Sequence, residues 1–336
     1  MKIVFFGLEQ AEQDIFLKSF PSEDISFLEG KLDESNTGKA KDAEIVCIFV
    51  NSTINKIVID ALPKLKFLAT RSTGLNHIDC DYAKKKGIQI AYVPAYGAHT
   101  VAEFTFGLIL NLSRKIIKAN DYIRESSDFN YFEAMEGFDL TGKILGVIGT
   151  GKIGKNVIKI ARGFGMKVIA YDLYPDQAFA KENEFEYVDL SNLISGSDII
   201  TLHTPYTKEN HHLINKANIA KMKRGTYLVN TARGELIDTD ALVSGLKEGI
   251  IAGAGLDVLE GEKELKDEFE ILSSHSKARI GDYKMLLEDR VLINMPNVII
   301  TPHIAFYTRE AVAEILKVTA ENIKGFIEDA PINLVK

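Results

Sequence analysis

The chain has 336 residues, of which 46% are hydrophobic and 26% charged, and its formal net charge is −7. This length predicts about two domains with substantial hydrophobic cores. The negative charge and the lack of a dense Lys/Arg cluster argue against nucleic acid or an anionic membrane surface as a partner.

Three features of the sequence bear on the compartment in which the protein works. The first apolar run, residues 3–6, is too short for the hydrophobic region of a signal peptide. No stretch approaches the roughly 20 uninterrupted apolar residues that span a membrane. The two cysteines are Cys47 and Cys80, and the apolar run 45–50 around Cys47 favours a buried thiol over a disulfide. We therefore expect a cytoplasmic protein without membrane contact.

The first section of the chain, residues 1–97, alternates short apolar runs with helical stretches. Strands are predicted at residues 3–6, 45–50, 67–70 and 89–92. Because strands separated by helices form parallel sheets, this section is predicted to be a complete α/β unit. It contains no glycine-rich phosphate loop, so we expect it to do something other than hold a nucleotide.

A long helix is predicted next, with Thr100 and Glu103 at capping-box spacing and an apolar stripe from Val101 to Ile116. An aromatic-rich stretch follows, which contains Tyr122, Phe129, Tyr131, Phe132 and Phe138. This stretch is either a packed connector or an arm that contacts a second subunit, because aromatic enrichment marks interfaces only weakly.

The second α/β section begins near residue 143. Strands are predicted at residues 144–148, 167–171, 198–202, 226–230, 251–256 and 298–301. Residues 263–295 are charged and are predicted to be irregular, and a final helix is predicted over residues 308–327. Six strands in this arrangement indicate a second parallel sheet.

A glycine motif directly follows the strand at 144–148. Residues 149–154 match the pattern G-x-G-x-x-G and open a helix, which is the context a dinucleotide-binding fingerprint requires. Gly149 permits a tight turn, Gly151 lets the backbone approach a pyrophosphate, and Gly154 allows close packing of helix on strand. The alternative is an ordinary glycine-containing turn between a strand and a helix.

An acidic residue, Asp172, follows the strand at 167–171, where a carboxylate can accept hydrogen bonds from the adenosine ribose. A carboxylate there repels a 2′-phosphate, and residues 173–175 offer no arginine to hold one. The sequence therefore favours NAD over NADP. A simple turn residue is the alternative role for Asp172.

Three ionisable residues, Arg233, Glu262 and His303, follow successive strands of the second section. In parallel sheets such positions meet at the crevice where ligands bind. Hydride transfer to a carbonyl needs a proton donor, which a histidine held by a carboxylate supplies, while an arginine holds a substrate carboxylate. The alternatives are a surface ion pair for Arg233, a solvated carboxylate for Glu262 and a strand end for His303.

Together these motifs resemble the D-2-hydroxyacid dehydrogenase family, most closely its NAD-dependent D-lactate dehydrogenases, over essentially the whole chain. The resemblance is carried by residues 149–154, Asn230-Thr231-Ala232-Arg233-Gly234 with Asp238, residues 255–258, and Thr301-Pro302-His303. It implies two doubly wound parallel-sheet α/β domains. A Rossmann NAD-binding domain, residues 98–304, is inserted into a flavodoxin-like substrate domain, residues 1–97 and 305–336. It also implies a homodimer.

The resemblance further implies roles for individual residues. His303 is the acid/base, Glu262 rather than Glu260 is its partner, and Arg233 is both catalytic and substrate-binding. Asp257 contacts the nicotinamide carboxamide. The remaining cofactor contacts are expected from Thr100, Lys152, Ile153, Thr204, Thr231 and Ala232.

For the substrate, the resemblance implies that the backbone of Thr73 and Gly74 holds a carboxylate and that Tyr96 lies near the substrate. Phe306 then limits the space for the side group, which favours pyruvate and D-lactate. The alternatives are glyoxylate, hydroxypyruvate, phosphoglycerate or a branched 2-oxo acid. An NAD-sensing transcriptional co-repressor of the same fold is a further alternative, of a different functional class.

We expect no metal site. His211 and His212 are adjacent in the sequence, and adjacent residues cannot share one face of a helix. We expect no metal role for His77, His99 or His275 either.

Overall fold

The computed structural model describes residues 1–262, 265 and 280–335. The chain divides into two compact units. Unit 1 consists of Met1–Tyr96 and Tyr307–Lys336, and unit 2 consists of Gly97–Phe306. Unit 2 is therefore inserted between the two segments that make up unit 1.

Unit 1 is built on a parallel sheet. Its first segment contains β1 Lys2–Phe6, α1 Gln10–Ser19, β2 Asp24–Leu28, β3 Ile45–Ile48, α2 Lys56–Asp60, β4 Phe67–Thr70, α3 Cys80–Lys85 and β5 Gln89–Ala91. The strands lie in the order β2-β1-β3-β4-β5, and every neighbouring pair is parallel. This is the flavodoxin-like order, so the predicted doubly wound sheet is confirmed. Strand β2 was not predicted.

Both faces of this sheet are covered. Along β1, Ile3 and Phe5 pack into one buried cluster and Val4 and Phe6 into another, because successive side chains of a strand point to opposite faces. Cys47 belongs to the first cluster and is fully buried, and this burial raises the pKa of its thiol to about 11. The predicted buried thiol is confirmed.

Unit 2 contains a second, larger parallel sheet. Its elements are α4 Ala98–Arg114, α5 Ile116–Ser126, β6 Ile144–Ile148, α6 Lys152–Gly163, β7 Lys167–Tyr171, α7 Gln177–Glu182, β8 Glu186–Tyr187, α8 Leu190–Gly196, β9 Ile199–Leu202, α9 Lys216–Ile219, β10 Thr226–Asn230, α10 Thr239–Lys247, β11 Ile251–Leu256, α11 Ile280–Ile293 and β12 Val298–Ile300. The strand order is β12-β11-β10-β9-β6-β7-β8. The chain reverses direction across the sheet between β6 and β9, and such a switch point is where doubly wound sheets bind ligands.

Two local predictions in unit 2 are wrong. The long helix α4 begins at Ala98, after Gly97, and the N–H of Val101 already donates to the carbonyl of Gly97 at 2.8 Å. Thr100 therefore lies inside the helix and does not cap it. Residues 280–293, predicted to be irregular, form helix α11, which buries Leu286 and Leu292 among charged neighbours that obscure its periodicity. The rest of the predicted irregular segment lies outside the described residues, apart from residues 265 and 294–295.

The chain returns to unit 1 with helix α12, Arg309–Ile327. Thr308 caps it by accepting a hydrogen bond from the N–H of Ala311 at 3.2 Å. Leu316 and Ile323 of this helix pack into the same cluster as Ile3 and Phe5. The second segment of unit 1 is thus part of its core.

The aromatic stretch after α5 is exposed at its centre. Phe129 is 89% and Tyr131 93% exposed, whereas Phe132 packs its ring edge-on against Tyr122. The arm to a second subunit stays a prediction. Among the helices of the described residues, none is long and apolar enough to cross a membrane.

Candidate active site

The turn after β6 requires two of its glycines. Gly149 has φ +93°, and a Cβ there would lie 2.7 Å from the backbone nitrogen of Thr204. A Cβ at Gly154 would lie 2.0 Å from the carbonyl oxygen of Gly149. The backbone therefore folds tightly enough to bring Gly149 against the turn after β9 and the start of α6 against Gly149.

The third glycine faces open space. Gly151 is the N-cap of α6, and a Cβ there would meet nothing within 4 Å. Lys152 and Ile153 form the first turn of this helix, whose unpaired N–H groups and dipole favour an anion. The open space at a helix N-terminus fits a pyrophosphate group.

Asp172, at the end of β7, is held in a fixed position. Its Oδ2 accepts hydrogen bonds from the N–H of Thr150 at 2.6 Å and from the Thr150 hydroxyl at 2.9 Å. Its Oδ1 accepts from the N–H of Tyr174 at 2.9 Å, and the Thr150 hydroxyl also bonds the Tyr187 hydroxyl at 2.9 Å. A carboxylate fixed beside the glycine turn fits an adenosine ribose. Sequence reasoning missed Tyr187 because it lies in the two-residue strand β8.

The other predicted cofactor residues lie at the ends of neighbouring strands or in α4. Thr204 follows β9, and Thr231 and Ala232 follow β10. The hydroxyl of Thr231 lies 3.0 Å from that of Thr105, one turn beyond Thr100 in α4. Their contacts with a cofactor stay predictions.

The histidine next to Thr204 belongs to the core. His203 is buried, and its Nε2 lies 2.9 Å from the hydroxyl of Thr201. Burial lowers the pKa of His203 to about 3, so its ring is neutral at physiological pH. His203 is therefore a residue of the core.

The loop that carries Arg233 is fastened by Asn230, the last residue of β10. The buried Asn230 side chain donates to the carbonyl of Arg233 at 2.8 Å and accepts from the N–H of Ala232 at 3.0 Å. Arg233 itself is extended and half-buried. Asn230 lies in the family motif, but its role in holding the loop was not predicted.

The Arg233 loop packs directly on the segment that leads to Glu262. A Cβ at Gly234 would lie 2.1 Å from the carbonyl carbon of Leu259 and 2.4 Å from the nitrogen of Glu260. Only a glycine permits this approach. The sequence therefore brings Arg233 and Glu262 into adjoining loops.

Glu262 and His303 form the central contact of the site. Nδ1 of His303 lies 3.0 Å from Oε2 of Glu262, and the two side chains are 39% and 27% exposed. His303 has φ +57°, a left-handed conformation that is uncommon for a histidine. Its N–H donates to the carbonyls of Thr301 and Asp257, both at 2.9 Å.

Asp257 fixes the backbone turn at His303 through three hydrogen bonds. Its Oδ1 accepts from the Thr301 hydroxyl at 2.5 Å and the N–H of Ile304 at 3.0 Å, and its Oδ2 accepts from the N–H of Ala305 at 2.8 Å. Burial raises the pKa of Asp257, and these hydrogen bonds and nearby His303 oppose that rise. The predicted contact of Asp257 with nicotinamide stays a prediction, whereas its hold on the His303 turn is observed.

The predicted substrate residues of unit 1 lie in a hydrogen-bonded loop after β4. The hydroxyl of Thr73 donates to the carbonyl of Val93 at 2.7 Å, and the carbonyl of Gly74 accepts from the hydroxyl of Ser72 at 2.8 Å. Tyr96 is the last residue of the first segment of unit 1, and Phe306 is the last residue of unit 2. Their roles toward a substrate stay predictions.

Comparison with known proteins decides the family. The model of the D-isomer specific 2-hydroxyacid dehydrogenase, NAD binding domain, matches residues 106–305, which include the glycine turn, Arg233, Glu262 and His303. The chain belongs to this family. The predicted resemblance is confirmed, and the cofactor of this dehydrogenase is NAD. The glycine turn and Asp172 fit that cofactor, as shown above.

Individual relatives support the assignment along the whole chain. D-lactate dehydrogenase of Escherichia coli is 39% identical over 330 residues, 97% of this chain and 96% of the relative. Aromatic 2-oxoacid reductase of Clostridium sporogenes is 40% identical, with 97% and 96% covered. The structure of Aquifex aeolicus D-lactate dehydrogenase, complexed with NAD and lactic acid, matches with a TM-score of 0.84 at 37% identity, covering 98% of this chain and 96% of that chain.

Proposed function

We propose that this dehydrogenase reduces pyruvate to D-lactate with NADH and catalyses the reverse reaction with NAD. The observation that carries the proposal is the 3.0 Å contact between Nδ1 of His303 and Glu262. An imidazole held by a carboxylate is the proton donor and acceptor that interconversion of a carbonyl and an alcohol needs. The relatives named D-lactate dehydrogenase support the choice of substrate.

His303 acts through its outer nitrogen. Because Glu262 bonds Nδ1, Nε2 is the nitrogen that gives a proton to the alkoxide formed during reduction. Bound NADH supplies the hydride that reduces the carbonyl carbon of the substrate. The carboxylate of Glu262 stabilises the protonated ring before transfer and fixes its orientation.

Arg233 holds the substrate. Its guanidinium is planar and permanently charged, so it binds a carboxylate through two parallel hydrogen bonds and polarises the neighbouring carbonyl. The fastening of its loop by Asn230 limits the positions that the arginine backbone can adopt. A fixed backbone reduces the entropy lost when the substrate binds.

We also propose, from the family resemblance, that the backbone amides of Thr73 and Gly74 hold the substrate carboxylate. Tyr96 and Phe306 then border the substrate side group. An aromatic ring beside the side group disfavours groups larger than methyl. One extra methylene group on a substrate changes the free energy by which an enzyme discriminates against it by only about 1–3 kcal/mol. The preference for pyruvate over larger 2-oxo acids is therefore graded.

A second candidate substrate class is the aromatic 2-oxo acids. The relative named aromatic 2-oxoacid reductase is as similar to this chain as the E. coli D-lactate dehydrogenase, at 40% against 39% identity. Reduction of such an acid uses the same His303, Glu262 and Arg233 chemistry. The two candidate substrates differ only in the space that the side group of the 2-oxo acid needs in the site.

A substrate panel separates the candidates. The initial rate of NADH oxidation is measured with pyruvate, phenylpyruvate, a branched 2-oxo acid, glyoxylate and hydroxypyruvate, and the product is analysed on a chiral column. We expect pyruvate to give the highest kcat/KM and D-lactate as the product. A higher kcat/KM with phenylpyruvate supports the second candidate, and L-lactate as the product contradicts the proposed reaction.

The variant Phe306→Ala tests the side-group pocket. We expect kcat/KM to rise for phenylpyruvate relative to pyruvate. Phe129→Ala is the matched control, because Phe129 is 89% exposed in the same unit. An unchanged substrate profile in Phe306→Ala removes Phe306 from the pocket and leaves the reaction itself untouched.

We further propose that the enzyme is a homodimer, as the family resemblance implies, and that it works in the cytoplasm, as the apolar runs and cysteines of the sequence favour. Sedimentation of the purified chain tests the dimer. Tight NADH binding without turnover of any 2-oxo acid in the panel supports the co-repressor alternative instead.

A further inference from the structure

Three side chains outside the candidate active site converge on one point of unit 2. His211 and His212 stack their rings, with centroids 3.8 Å apart. Nε2 of His212 lies 2.7 Å from Oε1 of Glu260. One nitrogen or oxygen atom from each of the three residues lies within 4.8 Å of the other two. These residues are called the His-His-Glu cluster below.

The reason for expecting no metal at these histidines does not hold in the structure. That expectation assumed a helix, on which adjacent side chains diverge. His211 and His212 instead form a turn after the 3₁₀ helix Lys208–Asn210, with φ −56° at His211 and φ +52° at His212. The change in the sign of φ brings the two rings onto the same side of the backbone.

The spacing of the cluster suits a small cation. Metal–nitrogen bonds to zinc are about 2.0–2.1 Å, which places tetrahedral ligand atoms about 3.3 Å apart. In the His-His-Glu cluster one pair of ligand atoms is 2.7 Å apart and all three atoms lie within 4.8 Å of one another. Binding one ion therefore requires the stacked histidine rings to rotate until their nitrogens face a common point. His211 is exposed, which leaves a side open for water ligands.

A neighbouring hydroxyl already orients one of the ligands. The Thr239 hydroxyl donates to Oε2 of Glu260 at 3.1 Å, which leaves Oε1 directed at His212. Oδ2 of Asp238 lies 4.0 Å from Nδ1 of His212, which is too long for a hydrogen bond. A hydroxyl that bonds a ligating carboxylate is a typical support of a metal ligand.

We propose that His211, His212 and Glu260 bind one divalent transition metal ion of the zinc class, with water in the remaining position. Two imidazoles and one carboxylate favour Zn²⁺, Co²⁺ or Ni²⁺ over Mg²⁺ and Ca²⁺, which prefer oxygen ligands. The competing reading is that the His212–Glu260 hydrogen bond is a structural tie without a metal.

From the position of the His-His-Glu cluster we expect a bound metal ion to stabilise the fold. Glu260 lies two residues before Glu262, and the same segment packs on Gly234, next to Arg233. The N–H of His212 donates to the carbonyl of Glu235 at 2.9 Å. A metal ion therefore joins the turn at 211–212 to the Glu260 segment, which packs on the Arg233 loop, and we expect its binding to raise the melting temperature.

Calorimetric titration of the chelator-treated full chain with ZnCl₂ tests the proposal. We expect one equivalent to bind, and His211→Asn to weaken binding at least about tenfold, since outer-shell changes alone cost 10–100-fold. His211 is exposed, so this variant is expected to keep the fold. The matched control is His99→Asn, another exposed histidine of unit 2, which should bind Zn²⁺ like the parent.

Two further measurements locate the ion. Glu260→Gln should also weaken binding, and its melting temperature in chelator shows whether the fold is retained. His303→Asn removes a second histidine–carboxylate pair, that of the candidate active site, and should leave the Zn²⁺ affinity unchanged. A visible Co²⁺ spectrum that is present in the parent and lost in His211→Asn supports the site. The proposal is overturned if no equivalent of Zn²⁺ binds, if His211→Asn binds it like the parent, or if His303→Asn abolishes binding.

Discussion

The backbone N–H of His303 donates to the carbonyl oxygen of Asp257 at 2.9 Å, and the carboxylate of Asp257 accepts from the two residues that follow His303. A non-glycine residue in the left-handed region costs of order 1–3 kcal/mol, so such a conformation persists only where its surroundings fix it. Asp257 is the group that fixes it here. The proton donor of the proposed reaction thus depends on a buried carboxylate behind it.

Asp257→Asn should therefore lower kcat at least about tenfold and reduce the free energy of unfolding. The amide keeps one acceptor but places an NH₂ group against N–H donors, and hydrogen bonds to a charged group contribute about 1.5–3 kcal/mol. Steady-state kinetics and urea unfolding measure the two effects. Asp121→Asn, an exposed change in α5, is the control. A parental kcat in Asp257→Asn would show that the turn keeps its shape without the charge.

This dependence illustrates what the sequence can and cannot predict. The strands β6, β7, β10 and β11 were predicted with their observed bounds, because a buried strand and its flanking turn are encoded locally. The glycine turn at 149–154 was predictable for the same reason. Local patterns were also sufficient to place Arg233 and His303 just after strands, whereas the choice of Glu262 over Glu260 came from the family resemblance.

Features that depend on distant partners were not predictable. Asp257 bonds residues 44 to 48 positions away, so its support of the His303 turn cannot be inferred from spacing. Strand β8 has two residues, too few to show alternation. Helix α11 buries Leu286 and Leu292 within a charged segment whose pattern indicates irregular structure. His211 and His212 lie in a turn that places their side chains together, whereas a helix would hold them apart.

Arg233→Lys should damage catalysis although the charge is kept. An ammonium group cannot form the two parallel hydrogen bonds that a guanidinium makes with a carboxylate. Losing one charge-assisted bond costs about 1.5–3 kcal/mol, so kcat/KM for pyruvate should fall at least about tenfold. Arg162→Lys, at the far end of α6, should leave it unchanged. A near-parental kcat/KM in Arg233→Lys would assign Arg233 a structural role.

Glu262→Gln should lower kcat for pyruvate reduction at least about tenfold. The carboxylate oxygen of Glu262 lies 3.0 Å from Nδ1 of His303, and a neutral amide oxygen is a weaker partner that holds the ring less firmly. A hydrogen bond to a charged group contributes about 1.5–3 kcal/mol, which sets the size of the loss. The measurement is steady-state kcat in parent and variant. His303→Ala should abolish turnover while NADH still binds, as followed by nicotinamide fluorescence. A parental kcat in Glu262→Gln argues that Glu262 is not the partner of His303 in catalysis.

Asp172 should make the enzyme prefer NADH to NADPH by at least about 100-fold in kcat/KM. A fixed carboxylate repels a 2′-phosphate, and a close like-charge contact costs several kcal/mol. Asp172→Ala should lower the ratio of kcat/KM with NADH to kcat/KM with NADPH. Tyr187→Phe should narrow it less, because it removes only the hydroxyl that bonds Thr150 beside Asp172. Comparable kcat/KM values for the two cofactors in the parent would contradict the assignment.

Two histidines, the buried His203 and the half-buried His77, should make the fold sensitive to acid. Burial lowers the pKa of His203 in unit 2 to about 3 and that of His77 in unit 1 to about 4, from 6.5 in both cases. In the unfolded chain both rings take up a proton as the pH falls below about 6.5, whereas in the folded chain they stay neutral until much lower pH. The unfolded state therefore binds more protons in this window, so acidification favours it.

Above pH 6.5 both rings are neutral in the folded and the unfolded chain, so the contribution of these histidines to the free energy of unfolding is fully present. As the pH falls from 6.5 toward the folded-state pKa values, this contribution is lost. Each histidine should lower the free energy of unfolding by up to about 1.4 kcal/mol per pH unit within its window. Urea unfolding followed by circular dichroism at pH 7.5 and pH 5.5 measures the slope. His203→Gln removes the titrating group while keeping a polar side chain near Thr201, so its slope should be shallower than that of the parent. His99→Gln, an exposed change, should keep the parental slope. Equal slopes in parent and His203→Gln would show that His203 takes up a proton as easily in the folded state as in the unfolded chain.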